Sequence, residues 1–451
     1  MTRPSRDQVE LHIQADSEPE VSKPEDDEPF QIALLGDFSG RSERGSISDR
    51  KPLIIDRDNF EAVLQKLDVG VELPAGRLPI RDIEDFHPDR IYASYPIFRQ
   101  LRSTRERLAD PETFAETVRE IGGEPLPALP SAAAGSLLDQ ILGIQPSAAK
   151  PVRKVDVVQQ VIDSAIRPHL VARQDPRAPE ILSQVDKTAG DLMRAVLHHP
   201  KFQAVEAAWR SVFTIISELE TGPELKVYLF DVTKEELAEH PDIVYQKLGQ
   251  RPEPWALLAG NYAFGADDIP LMTVLGKIAA RLHAPFVGHA DPSLLDGTAE
   301  WSRFRHTPEA AQISLALPRV LLRLPYGKQT SACETFEFEE VSGKPASKQM
   351  LFGNAALLCS MLIGKAFEAD GWNLRPGTVR DIGGLPIYIY KDHDESIAFP
   401  CAEVELPQET AEALIENGFM PMAAIRNRDV VRALAFQSVA DPPTALRGRW
   451  A

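Results

Sequence analysis

Apolar residues first gather at Phe30. The segment FQIALLGDF alternates and then runs apolar, which predicts a buried strand. GDFSGRSERGS reads as a glycine- and serine-rich turn, and KPLIIDRDN as a second short strand. A helix follows, with Asp58 or Asn59 as N-cap and Phe60, Val63, Leu64 and Leu67 on one face. VELPAGRLPIRDI predicts one or two further strands around a proline–glycine turn. Asp85-Phe86-His87-Pro88 punctuates the chain. From there to about Ile121, Tyr92, Ile97, Leu101 and Leu108 repeat at roughly helical spacing. Residues 29–122 therefore read as a small α+β module.

The pattern then breaks. Residues 123–154 are rich in Pro, Ala, Gly and Ser and read as a linker. One short amphipathic piece interrupts it, SLLDQILG at 136–143, where Ser136 can cap and Leu137, Leu138, Ile141 and Leu142 make one apolar stripe. Such a piece either docks on its own domain or serves as a linear motif for a partner's groove. Residues 155–451 read as a second, larger domain. VVQQVIDSAI, ILSQVDKTAGDLMRAVLHH and FQAVEAAWRSVFTIISEL carry helical spacing, and His199-Pro200 ends one helix. Strands are predicted at 225–232, 254–264 and 284–290, with a helix at 268–283 between the last two. A long helix at 352–371 and a strand at LPIYIYKD follow. This order predicts a mixed or parallel sheet with helical crossovers. The fold class is α+β (mixed α/β): a small N-terminal module joined through a linker to a larger mixed-sheet domain flanked by helices.

Composition adds a tail and a sign. Residues 1–28 hold nine Asp/Glu against three Lys/Arg, too polar to bury a core, and read as an acidic flexible tail with a possible strand at Val9–Ile13. The net charge of −18 disfavours nucleic acid and anionic membranes. The three cysteines, Cys333, Cys359 and Cys401, make no disulfide framework and fit a reducing cytoplasm. No apolar run approaches the roughly 18 residues of a membrane span, and the N-terminus lacks a signal-peptide core.

Candidate chemistry is sparse. His198-His199 are adjacent, so on a helix they diverge by about 100° and do not share an ion readily. Asp392-His393-Asp394-Glu395 lacks EF-hand spacing and reads as an exposed charged turn. LPYGKQTS fails the P-loop pattern, and Cys401 reads as a small semi-buried residue. No metal, cofactor or catalytic residue is expected.

Longer motifs carry a resemblance. FQIALLGDFSGR (30–41), RKPLIIDRDNFEAVLQKL (50–67) and LPIRDIEDFHPDRIY (78–92) resemble the small subunit, TssB, of the type VI secretion contractile sheath. AVLHHPKFQAVEAAWRSV (195–212), YAFGADDIPLM (262–272), HAPFVGHADPSL (283–294), LALPRVLLRLPYG (315–327), FGNAALLCSMLI (352–363) and GFMPMAAIRNRDVVRALAFQSV (418–439) resemble its large subunit, TssC. The resemblance implies a TssB–TssC fusion. Its function would be mechanical: a cytoplasmic protomer that assembles with copies of itself into rings or a helical tube around an inner-tube, Hcp-like protein, contacts baseplate components and drives ejection by contraction. SLLDQILG resembles the large-subunit segment that a ClpV-type AAA+ unfoldase binds, which would make Leu137, Leu138, Ile141 and Leu142 docking side chains. Large subunits usually continue well past the position matching Ser438 into a segment of the sheath's handle. Hence a second expectation: a sheath-related adaptor, cap or regulator that binds other sheath or baseplate components without forming a tube.

Overall fold

The computed structural model describes residues 24–25, 27–121, 178–393 and 395–450. The possible strand at Val9–Ile13, the segment SLLDQILG and the helix read at VVQQVIDSAI lie outside these.

The amino-terminal segment runs β1 (Phe30–Gly36), β2 (Leu53–Ile55), α1 (Phe60–Lys66), the hairpin β3 (Gly70–Leu73) and β4 (Gly76–Pro79), then α2 (Pro88–Ser94), α3 (Pro96–Ala109) and α4 (Pro111–Ile121). Phe60, Val63 and Leu64 are buried along α1, as their spacing requires. Asn59 is the N-cap residue, but its side chain accepts from Asp56 N at 3.1 Å instead of capping the helix. Proline at the first position starts α2, where the preceding His87 Nδ1 accepts from Asp89 N at 3.2 Å.

Two long helices follow, α5 (Ala178–Leu197) and α6 (Pro200–Glu218). His199-Pro200 both ends α5 and begins α6, with His199 accepting from Lys201 N. Next come β5 (Leu225–Asp231), α7 (Lys234–Glu239), α8 (Pro241–Gly249), β6 (Leu257–Phe264), α9 (Ile269–Leu282), β7 (Phe286–Ala290), α10 (Ala299–Arg305) and β8 (Ile313–Leu317). β9 (Val320–Arg323) pairs with β10 (Leu351–Gly353), and α11 (Ala355–Asp370) follows. The rest is β11 (Asp381–Ile382), the hairpin β12 (Tyr388–Asp392) and β13 (Glu395–Phe399), α12 (Gln408–Glu416), β14 (Phe419–Ala424) and β15 (Val431–Ala433).

Among the described residues, nine strands form one sheet in the order β11-β15-β14-β8-β7-β6-β1-β5-β2. Its middle, β14 to β5, is parallel, and β15, β11 and β2 close the edges antiparallel. Parallel strands need helices on both faces, and both faces are covered. Phe30, Ile32 and Leu34 of β1 point into a core shared with α1, α3, α5, α6 and α11. Ala33 and Leu35 point into a second core with α8, α9 and α10. α11 is apolar all round because it lies inside the first core, buried from Ala355 through Gly364. The class is thus mixed α/β, as the strand–helix alternation predicted. The segment before β5 is no appendage of this sheet. β1 lies between β5 and β6, with Leu34 opposite both Leu229 and Ala259.

Candidate functional site

Three groups of contacts join the segment from β1 to α4 to the rest of the chain, and a fourth polar group lies behind β7.

The first surrounds Asp231, the buried last residue of β5. Its Oδ1 accepts from Phe38 N at 2.8 Å and Ser39 N at 2.9 Å, and Arg44 Nη1 lies 3.3 Å away. Arg50 donates to the Asp231 carbonyl at 3.0 Å and grips Glu236 through both terminal nitrogens at 2.8 and 2.6 Å. Burial pushes the Glu236 carboxyl up, but Arg50 and the Thr233 N–H outweigh this and hold it below its ordinary range. Trp209 Nε1 in α6 donates to Phe38 O at 2.8 Å. The turn can approach this closely because Gly40 has φ +64, and a Cβ there would lie 2.5 Å from Gly70 O.

The second is the turn at 85–89. Asp89 accepts from Glu334 N at 3.0 Å, Thr335 N at 3.1 Å and Thr335 Oγ1 at 2.5 Å. Burial alone raises the Asp89 carboxyl; these donors prevail and lower it. His87 Nε2 lies 3.2 Å from Ser331 Oγ, and its ring meets the Tyr326 ring edge-on with centroids 4.9 Å apart. Tyr92 stacks on Phe336 at 4.6 Å.

Behind this turn is the third group, a buried charge network. Arg323, at the end of β9, donates to Glu206 Oε1 at 2.7 Å and to Glu340 Oε2 at 2.7 Å. Arg210 Nε donates to Glu206 Oε1 at 2.8 Å, and its Nη2 donates to Tyr326 OH at 2.9 Å. Tyr326 N donates to Glu340 Oε2 at 2.8 Å, and Tyr326 OH donates to Phe86 O at 3.4 Å. His198 Nε2 lies 3.4 Å from Glu340 Oε1. Burial works to raise the Glu340 carboxyl, yet Arg323 and His198 pull it down to about 2. Glu206, Glu340 and Arg323 thus satisfy one another in the buried interior, with Arg210 joining from a partly exposed position, which is what a buried ionic cluster needs to persist.

Separately, His289 of β7 is buried with Nδ1 2.9 Å from Ala316 O, and burial lowers its pKa to about 4. Arg319 and Glu403 pair beside it at 2.6 and 2.8 Å.

The residues singled out from sequence fare unevenly. Leu137, Leu138, Ile141 and Leu142 lie outside the described residues. His198 faces Glu340 while His199 caps α6, so the adjacent pair diverges. Asp392, His393 and Glu395 sit at the tip of the β12–β13 hairpin. Cys359 and Cys401 are buried and Cys333 is half-buried. Among the described residues, no group of three or more His, Cys, Asp or Glu could hold a metal ion, and no helix is long and apolar enough to cross a membrane. Sequence reading missed Glu206, Arg323, Glu340 and Asp231. Two left a signal: Glu206 interrupts the apolar stripe of FQAVEAAW, and Arg323 interrupts VLLRLP.

The family model VipB (EvpB/VC_A0108, tail sheath N-terminal domain) matches residues 179–299 and 296–440, together more than half of the chain. The model T6SS_VipA (type VI secretion system, VipA, VC_A0107 or Hcp2) matches residues 3–121. A curated relative, the type VI secretion system sheath protein TssC1 of Pseudomonas aeruginosa, is 27% identical over 304 residues, covering 58% of this chain and 61% of its own length. The chain therefore spans about three fifths of that relative. Among solved structures, the cryo-EM structure of the anti-feeding prophage baseplate, 6-fold symmetrised, is similar at TM-score 0.31 and 15% identity over 54% of this chain and 53% of its own, too loosely to carry an argument. With a VipA-type segment before α5 and a VipB-type segment from α5 onward, the chain belongs to the tail-sheath family of the type VI secretion system as a TssB–TssC fusion.

Proposed function

We propose that this chain is a structural protomer of a type VI-like contractile sheath, in which one polypeptide does the work of two matched subunit types. The observation that carries this reading is β1. It belongs to the VipA-type segment, yet it pairs on both sides with strands of the VipB-type segment. A unit built this way moves as one body, which suits a sheath protomer that shifts between packed states. The sequence segments 29–122 and 155–451, with 123–154 between them and an acidic tail at 1–28, are part of this reading as two halves of one body, since their strands share one sheet. So is assembly with further copies in the cytoplasm around an inner tube of Hcp-like protein, seated on baseplate components. No catalytic residue, metal or cofactor enters the mechanism. Leu137, Leu138, Ile141 and Leu142 would then be the handle for a ClpV-like unfoldase. Leu138→Asp and Ile141→Asp should abolish binding to such an unfoldase's N-domain while leaving the melting temperature unchanged.

Negative-stain electron microscopy of the purified full-length chain tests the main reading. Hollow tubes or stacked rings are expected. Small discrete particles that associate with separate sheath subunits would move the assignment to a sheath-related adaptor.

A further inference from the structure

Just past its carboxyl end, β1 is fastened by the Asp231 cluster, which holds the N–H groups of Phe38 and Ser39. Its amino-terminal end has a thinner attachment to the sheet. Phe30 and Gln31 pair in register with β5 alone, and pairing with β6 begins at Ile32. Strands fray from such ends. Here residues more than 400 positions away close the end.

Arg449 lays both terminal nitrogens on the Glu28 carboxylate, Nη2 donating to Oε2 at 2.9 Å and Nη1 to Oε1. The Arg449 side chain is 8% exposed and that of Glu28 22%, so the pair is largely shielded from water. Trp372 Nε1 donates to the Glu28 carbonyl at 2.7 Å, and the Arg449 guanidinium lies 5.4 Å from the centre of the Trp372 ring. A shielded, bidentate pair stacked on an aromatic ring holds better than an exposed ion pair. The fully buried Phe30 ring is enclosed by Phe367, Trp372 and Trp450, with centroids 4.6, 5.4 and 5.9 Å away.

The segment that carries Arg449 is itself anchored. Leu446 is buried, and its N–H donates to Phe436 O at 3.2 Å. Ser438 N donates to Thr444 O at 2.8 Å, and Val439 N to Ile313 O of β8 at 2.8 Å, which ties this stretch to the main sheet. Glu28 lies in the stretch matched by the VipA model and Trp372 in that matched by the VipB model. Arg449 and Trp450 follow the latter stretch, which ends at 440.

We propose that Arg449 and Trp450, seated beside Trp372 and Phe30, form a latch that grips Glu28 and stops β1 from peeling off β5 at its amino-terminal end. Arg449 is the positioning residue, because it fixes the direction in which the chain enters β1. With the Asp231 cluster at the other end, the strand that joins the two segments is pinned at both ends. A pull on the chain ahead of Glu28 then reaches the body through Arg449 instead of opening β1 residue by residue. The latch works within one chain, whether or not that chain forms tubes.

The test is residue-resolved hydrogen exchange on the full-length chain as wild type, Arg449→Ala, Glu28→Ala and the double variant. Each single change should speed exchange at Phe30–Ile32 by about three- to tenfold, with β7 and β8 unaffected. The double variant should be no faster than the faster single, because the two side chains act as one unit. Unchanged exchange at Phe30–Ile32 in Arg449→Ala overturns the latch. So does acceleration that spreads equally to β7 and β8, which would make Arg449 a contributor to global stability only. Additive acceleration in the double variant also overturns it, since Arg449 would then act without Glu28.

Discussion

β1 and the turn at 85–89 both fasten the VipA-type segment to the VipB-type segment, by opposite means. β1 is buried along its whole length and paired on both sides through seven residues with β5 and four with β6. The turn brings Asp89, His87 and the Phe86 carbonyl to loop groups, and a charge network lies behind them. Apolar burial is strong but indifferent to direction, while paired charges contribute little net stability and punish misplacement. The strand therefore supplies the attachment, and the network fixes how the turn region sits against α6 and β9.

Breaking the strand should have the largest effect. Leu34 is fully buried between Leu229 and Ala259. Leu34→Asp places a carboxylate in that core, a loss above about 4 kcal/mol. Insoluble protein, or far-ultraviolet circular dichroism without a cooperative melt, is the expected result. A soluble variant with a normal melt would mean that β1 is dispensable to the sheet.

The network comes next. Arg323→Met leaves Glu340 buried with only the Tyr326 N–H and His198 beside it, and should cost about 3–5 kcal/mol in urea unfolding. Adding Glu340→Gln should recover much of that loss, because the stranded charge is gone. If the double variant is no better than the single, packing rather than charge holds this region. The wild-type network also has a pH signature. The folded-state pKa of Glu340, about 2, lies below the ordinary value of 4.5, so its contribution is present above pH 4.5 and is lost as pH falls towards 2.

His289 sharpens the contrast at milder pH. Its folded-state value of about 4 is below the ordinary 6.5. The unfolded chain therefore takes up the proton first, and stability falls as pH drops from 6.5 towards 4. Urea unfolding at pH 7 and pH 5 should differ by about 2 kcal/mol from this residue, a difference that His289→Gln removes. Glu340 is still ionised across that interval, so a loss between pH 7 and pH 5 that persists in His289→Gln would trace to neither group.

The same contrast explains what the sequence made legible. β1, β5, β6, β7, α6, α9 and α11 announce themselves through local periodicity, which burial on one or both faces imposes. That β1 sits between β5 and β6 is not local information. Phe30 and Leu225 become neighbours through a pairing that no spacing within either segment encodes. The charge network hid for a related reason. Glu206 and Arg323 look like interruptions of apolar stripes until each is seen facing the other, and Glu340 lies in FEFEEVSG, outside any helix or strand. The unfoldase-like residues Leu137, Leu138, Ile141 and Leu142 rest on motif resemblance alone.

The smallest effect should come from the outer edge of the polar attachment. Asp89 is partly exposed and accepts three hydrogen bonds from residues 334–335, so Asp89→Ala removes acceptors without stranding a charge in the core. The freed Glu334 and Thr335 donors can turn to water, since both residues are exposed. A loss of about 1–2 kcal/mol is expected by urea unfolding. Faster hydrogen exchange should appear at 334–335 and stay confined there, with the amides of β1 unaffected. If exchange instead rises along β1 as well, the two attachments open together, and the division between a strand that holds and a turn that positions fails.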